Sequence, residues 1–112
     1  MQDNQKRIEK ISSILDDKKA VEIESFDLSD KDYIADVVVV ATTLNSKHAY
    51  SMLGYLKDEL KPEGEEFLRI DEDDDWTIID LGDIIIHLMS QEYRERYHLD
   101  DFLYQLKGDK AN

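Results

Sequence analysis

Apolar positions along this chain recur at two spacings, one helical and one alternating, and the two periods sort it into elements. Ile8, Ile11 and Leu15 fall three and four apart, which is one face of a first helix. Asp3 or Asn4 can cap that helix, and the charged run Asp16, Asp17, Lys18, Lys19 ends it. Residues 20–26 then alternate, with Val21 and Ile23 on one side and Glu22 and Glu24 on the other. That predicts a strand with one polar face. Residues 27–32 read as a polar connection. Val37, Val38, Val39 and Val40 are consecutive, and an alternating strand would expose half of them. The economical reading is a central strand over 34–41 covered on both faces.

Ala49, Met52, Leu53, Leu56 and Leu60 make the clearest helical stripe, with Asn45 or Ser46 as its cap and Pro62 to Gly64 as its stop. A strand at 66–70 would complete a βαβ unit whose strands run parallel. The acid run 71–75 reads as a loop. Trp76–Asp80 and Ile84–Met89 are two further strands, separated by three residues that suit a tight hairpin. Two amphipathic helices follow, Gln91–Tyr97 and 99–106, the second with Leu99, Phe102, Leu103 and Leu106 on one face. Residues 107–112 should fray. The expectation is one α/β domain over 1–106, a mixed sheet of about five strands with helices packed on it.

Length agrees with one domain, since 112 residues form a core without staples. There is no cysteine, which excludes disulfides, thiolate catalysis and Cys-based zinc sites. The longest strictly apolar run is 37–41, and the N-terminus has no apolar signal core, so a cytoplasmic protein is expected. Charge narrows the partners. With Lys plus Arg at 14 and Asp plus Glu at 27, the formal net charge is −13. Binding nucleic acid needs clustered cations, and an anionic membrane would repel this chain. Basic protein surfaces are favoured instead.

Candidate chemistry is sparse. The run 71–75 fails the EF-hand pattern because its sixth position is Trp76, where glycine is required. Asp80 and Asp83 flank the hairpin turn and Asp36 precedes the valine strand. These carboxylates could share a metal, although turns use Asp in the same places. His87 interrupts the last strand on the face of Ile85 and Met89, where one backbone or carboxylate partner would satisfy it. Arg94 and Tyr97, three apart on a helix, can point one way as an exposed contact pair. No cofactor and no metal are expected.

The segment from Trp76 through Asp80, Gly82-Asp83, His87, Arg94 and Tyr97 to Leu99-Asp100 resembles the signature of the ribosomal silencing factor RsfS, or Iojap, family. Upstream, Asp27 closing the first strand, Ala35-Asp36 before the valines, and Ser46 opening the helix of Ala49 match it in order and spacing. The chain departs from the family pattern at Thr42-Thr43, at Arg69 to Asp71, and at Phe102 to Tyr104. The resemblance implies a nucleotidyltransferase-like fold without its catalytic signature. It also implies a protein that is not an enzyme. Such proteins bind the large ribosomal subunit through its protein L fourteen, block joining of the small subunit when nutrients are short, and pair as homodimers when free. The contact surface is then expected from Trp76, Asp80, Asp83, His87, Arg94 and Tyr97, with Ser46 near. The hairpin rim and the following helix should be neighbours in space, and Asp83→Ala and Arg94→Ala should leave the fold intact. The alternative is a metal-dependent nucleotidyltransferase-like enzyme using Asp36, Asp80 and Asp83.

Overall fold

The computed structural model describes residues 4–108. The first helix, α1 (Asn4–Asp17), buries Ile11, Ile14 and Leu15, with Ile8 packed at its margin. The Asp3 cap lies outside the described residues. Lys19 takes a left-handed conformation (φ 78°) after it, and the chain enters β1 (Val21–Asp27). The alternation expected there is broken. Glu22 also has positive φ (50°), and the register against the neighbouring strand shifts between Val21 and Glu24. The bulge turns Val21 out to 51% exposure, while Ile23 and Phe26 pack on opposite faces.

The polar connection holds one core residue. Leu28 is fully buried, and its N–H donates to the Asp36 carbonyl at 2.7 Å. Strand β2 (Val37–Thr42) is buried at all six positions, as the valine run predicted. It begins three residues later than expected, and Ile34 is 77% exposed. Helix α2 (Ser46–Leu60) buries all five residues of its stripe and is capped by Asn45, whose side chain accepts from the His48 N–H at 2.8 Å. One 3₁₀ turn and left-handed Gly64 (φ 99°) stop it.

Strand β3 (Arg69–Asp71) is shorter than expected and sits at an edge. Strands β4 (Trp76–Asp80) and β5 (Ile84–Met89) form the expected hairpin around Gly82. Helices α3 (Gln91–Tyr97) and α4 (Leu99–Lys107) close the described chain, α4 ending on left-handed Gly108. Lys107 therefore belongs to the helix, and residues 109–112 of the expected frayed tail lie outside the described residues.

The fold class is the expected one, a five-stranded mixed sheet in the order β1-β2-β5-β4-β3 with helices on it. Among the described residues only β2 and β5 are parallel neighbours. Strand β3 runs in the direction of β2, but β5 and β4 lie between them. The two faces are covered unequally. On one, α1 and α2 pack over Val37, Val39, Ala41, Ile79, Ile84, Ile86 and Leu88. On the other, Leu99, Leu103 and Tyr104 from α4 and Tyr93 from α3 cover Phe26, Val38, Val40 and Met89. Phe102, expected on the buried stripe of α4, is half exposed. Among the described residues no helix is long and apolar enough to cross a membrane.

Between α3 and α4 the chain turns at His98, a non-glycine residue in the left-handed region (φ 53°, ψ 37°). A side chain there costs about 1 kcal/mol that glycine avoids. His98→Gly should therefore raise the stability by roughly 0.5–1 kcal/mol, read from the urea midpoint. A lower midpoint would mean that the exposed His98–Asp101 pair outweighs the backbone strain.

Candidate functional site

Strand pleating places Trp76, Ile78 and Asp80 of β4 beside Ile85, His87 and Met89 of β5 on one sheet face. α4 covers that face over β1, β2 and the end of β5, and beyond it Ile85 is buried while Trp76, Ile78 and His87 are half-buried. Trp76 and His87 meet there. The Trp76 indole N–H donates to His87 Nδ1 at 3.0 Å, with ring centroids 5.9 Å apart. The partner expected for His87 was a carboxylate or backbone group; it is instead the indole. Because Nδ1 accepts, the imidazole proton sits on Nε2. Burial holds the His87 pKa down at about 4, so the ring is neutral at pH 7.

Tyr97 extends this cluster from α3, its ring centroid 5.6 Å from that of Trp76 and its side chain half exposed. Tyr93, one turn earlier, stacks edge-on to Tyr97 at 5.2 Å. Tyr97 first, then Asp75, push the Tyr93 phenol above its usual pKa. Tyr93 and Ile78 were missed among the candidates. The signals were present: Tyr93 and Tyr97 stand four apart on one helix, and Ile78 shares the parity of Trp76.

Arg94 corrects an expectation. It does not accompany Tyr97 outward but is 8% exposed. Its Nε and Nη2 donate to the Asp100 carboxylate at 3.0 and 2.8 Å, and its Nη1 donates to the Glu22 carbonyl and Thr42 Oγ1 at 2.6 and 2.9 Å. Arg94 thus ties α3 and α4 to the bulge of β1 and the end of β2.

The hairpin rim is also not beside α3. Trp76 pairs with Met89 at one end of β4, and Asp80 pairs with Ile85 at the other. Four residues of strand separate them by about 13 Å. Asp80 Oδ1 accepts from the Gly82 N–H at 2.7 Å, which is turn chemistry. Asp83 receives Arg7 from α1, through Nη1 at 2.6 Å and Nη2 at 2.9 Å, and Arg7 also donates to Glu65 at 2.8 Å. The Arg7 guanidinium holds the Asp83 carboxyl below its ordinary value. Asp83 is therefore a brace for α1, and its removal bears on the fold as well as on any surface. The Asp36 N–H is bonded to the Asp83 carbonyl at 2.8 Å. Among the described residues no three His, Asp or Glu side chains group to hold a metal. Asp36, Asp80 and Asp83 make no metal centre here. Ser46 opens α2 across the sheet from Trp76 and lines a depression of about 370 Å3 with Tyr50, Thr77 and the acidic loop.

The family described as ribosomal silencing factor during starvation, RsfS, matches this sequence over residues 1–111. The chain belongs to the RsfS family. It is 36% identical over 92 residues to the ribosomal silencing factor RsfS of Zymomonas mobilis, covering 80% of this chain and 69% of that one. It is 32% identical over 95 residues to the RsfS of Haemophilus influenzae, covering 83% and 93%. A crystal structure of a Chromobacterium violaceum protein superposes with a TM-score of 0.79 at 23% identity, over 88% of this chain and 84% of that one, which supports the fold.

Two outcomes follow from the site. Arg94→Ala leaves Asp100 and the Glu22 carbonyl without their donor, and should cost about 3–5 kcal/mol in thermal or urea unfolding. A loss below 1 kcal/mol would contradict its bracing role. Protonating His87 means placing a proton on Nδ1 against the indole donor. Its folded pKa lies below its unfolded one, so its stabilising effect is complete above pH 6.5 and is lost as pH falls toward 4. The loss should reach about 3 kcal/mol. The His87 ring signals in NMR should titrate near pH 4, and a midpoint near 6.5 would contradict the burial argument.

Proposed function

We propose that this chain silences translation by binding the large ribosomal subunit through ribosomal protein L fourteen, so that the small subunit cannot join when nutrients are limiting. Family membership supports the ribosomal reading, because the relatives carry the name of ribosomal silencing factor. The observation that carries it is the aromatic cluster of half-buried Trp76 and His87 with half-exposed Tyr97 at the outer part of that sheet face. Tryptophan and tyrosine on an exposed but packed surface are the side chains that dominate protein interfaces. The net charge of −13 favours a basic ribosomal protein and disfavours bare RNA.

On this reading Trp76 and Tyr97 make the contact, and His87 sets the Trp76 ring by accepting its N–H. Arg94 contributes by holding α3, and Asp80 and Asp83 by shaping the hairpin end. Ser46 lies at the margin. The protein acts by occupying a surface and not as an enzyme, works in the cytoplasm, uses no cofactor, and pairs as a homodimer when free. The nucleotidyltransferase alternative has less support, since Asp80 and Asp83 are engaged with Gly82 and Arg7.

Co-sedimentation of the protein with purified large subunits, followed by addition of small subunits, tests the proposal. The wild-type chain should pellet with large subunits and reduce joining. Trp76→Ala and Tyr97→Ala should each weaken pelleting at least tenfold, which is the scale of an interface hot spot. Full binding by a folded Trp76→Ala, Tyr97→Ala double variant would remove this face from the contact.

A further inference from the structure

The loop between β1 and β2 carries an isoleucine that the fold does not cover. Ile34 is 77% exposed, although the loop is anchored on both sides of it by buried Leu28 and Ala35. The Leu28 N–H donates to the Asp36 carbonyl at 2.7 Å, and the Asp36 N–H to the Asp83 carbonyl at 2.8 Å, which closes the loop at its base. Inside it the Lys31 N–H donates to the Leu28 carbonyl at 2.9 Å, and the Tyr33 N–H to the Lys31 carbonyl at 3.0 Å. A loop tied in this way holds Ile34 outward by its own backbone bonding.

Ile34 does not stand alone. Tyr33, next to it, is half-buried against the cluster of Phe26, Val38 and Leu103. Its ring centroid lies 6.3 Å from that of Phe102, with the planes 56° apart. Phe102 on α4 is itself half exposed. The loop and α4 thus join their exposed apolar side chains through a ring contact. Single exposed apolar residues are ordinary, but joined ones mark an interaction surface. The patch lies away from the Trp76 cluster. Trp76 pairs with Met89 at one end of the sheet, and the base of this loop is bonded to Asp83 at the other. Phe102 also belongs to a stretch in which the chain departs from the pattern of its family.

The border of the patch is negative. Asp32 precedes Tyr33 and Asp101 precedes Phe102, and both are exposed, as are Asp30 and Asp36 in the same loop. The one cation of the loop, Lys31, places its ammonium beside Gly108 at the C-terminal end of α4, where the last carbonyls favour it. An apolar centre inside a ring of carboxylates fits a partner of opposite charge. A second copy docked patch to patch would set like charges against each other, and an anionic membrane would be repelled. We propose that Tyr33, Ile34 and Phe102 form a docking surface for a basic segment of a partner protein, which covers them with a bulky apolar side chain while its Lys or Arg residues meet Asp30, Asp32 and Asp101. Because the loop is already closed by its own hydrogen bonds, binding there orders little new backbone. The surface does not depend on the ribosomal reading, which rests on the Trp76 cluster.

The test is amide NMR of the full chain titrated with an amphipathic helical peptide of lysine and leucine. Two counterparts are run beside it, one with every leucine replaced by serine and one with every lysine replaced by glutamate. The lysine–leucine peptide should shift residues 30–36 and 99–106 together. The serine peptide should bind at least tenfold more weakly, and the glutamate peptide should give no shift. Ile34→Ser removes an exposed side chain, so its urea midpoint should match the wild type, while its affinity for the lysine–leucine peptide should fall about fivefold to tenfold. Equal binding of the serine peptide, shifts spread over the whole acidic surface, or full affinity in Ile34→Ser would overturn the proposal. Shifts at the same residues on raising the protein concentration alone would mean that a second copy covers the patch, and would overturn it too. In co-sedimentation with large ribosomal subunits Ile34→Ser should behave as the wild type does, and a loss of pelleting confined to the variant would overturn a surface separate from the ribosomal contact.

Discussion

The burial of β2 on both faces is the constraint from which the rest follows. Four consecutive valines cannot be satisfied by one helix layer, so the sheet must carry helices on each side. Strands lie about 4.8 Å apart and a helix is about 10 Å wide, so one helix covers about two strands. The long pair α1 and α2 spreads over most of one face. The short α3 and α4 cover the other only around β1, β2 and the end of β5. A half-buried outer strip is therefore left by the lengths of the helices, and the sequence fills it with Trp76, Ile78 and His87.

Two arginines keep that unequal arrangement in place. Arg7 joins α1 to Glu65 and Asp83 at the hairpin end of the sheet, and Arg94 joins α3 and α4 to β1 and β2 at the other end. Both guanidinium groups are largely withdrawn from water and answered by carboxylates. Such pairs contribute little as isolated bonds, but removing one partner strands a buried charge. In a chain of net charge −13, these cations serve the fold and leave the acidic surface outward. That surface steers a basic partner toward the protein at the cost of some self-repulsion.

Much of this was legible in the sequence, for identifiable reasons. The α2 stripe and the valine strand have strong periods and no competing interaction, and the structure keeps both. The β4–β5 hairpin was legible from its short Gly-containing turn. The β1 bulge was not, because the Glu22 carbonyl within it is answered by Arg94, 72 residues away in sequence. The same long-range bond hid the burial of Arg94, whose helical spacing with Tyr97 suggested a shared exposed face. Asp83 misled in the same way, since its partner Arg7 is 76 residues away. For the candidate site, sequence supplied Trp76, His87 and Tyr97. Their convergence at the outer part of one sheet face depends on which strands pair and which the short helices reach, and no local pattern encodes that.

We propose that the face built by Trp76, His87 and Tyr97 is the surface this chain uses. Hydrogen exchange by mass spectrometry, on the chain alone and bound to large ribosomal subunits, tests it directly. Added protection is expected in peptides spanning β4, the end of β5 and α3, with α1 and the Arg7–Asp83 end unchanged. Added protection over α1 and the buried face of α2, with β4 and α3 unchanged, would contradict it.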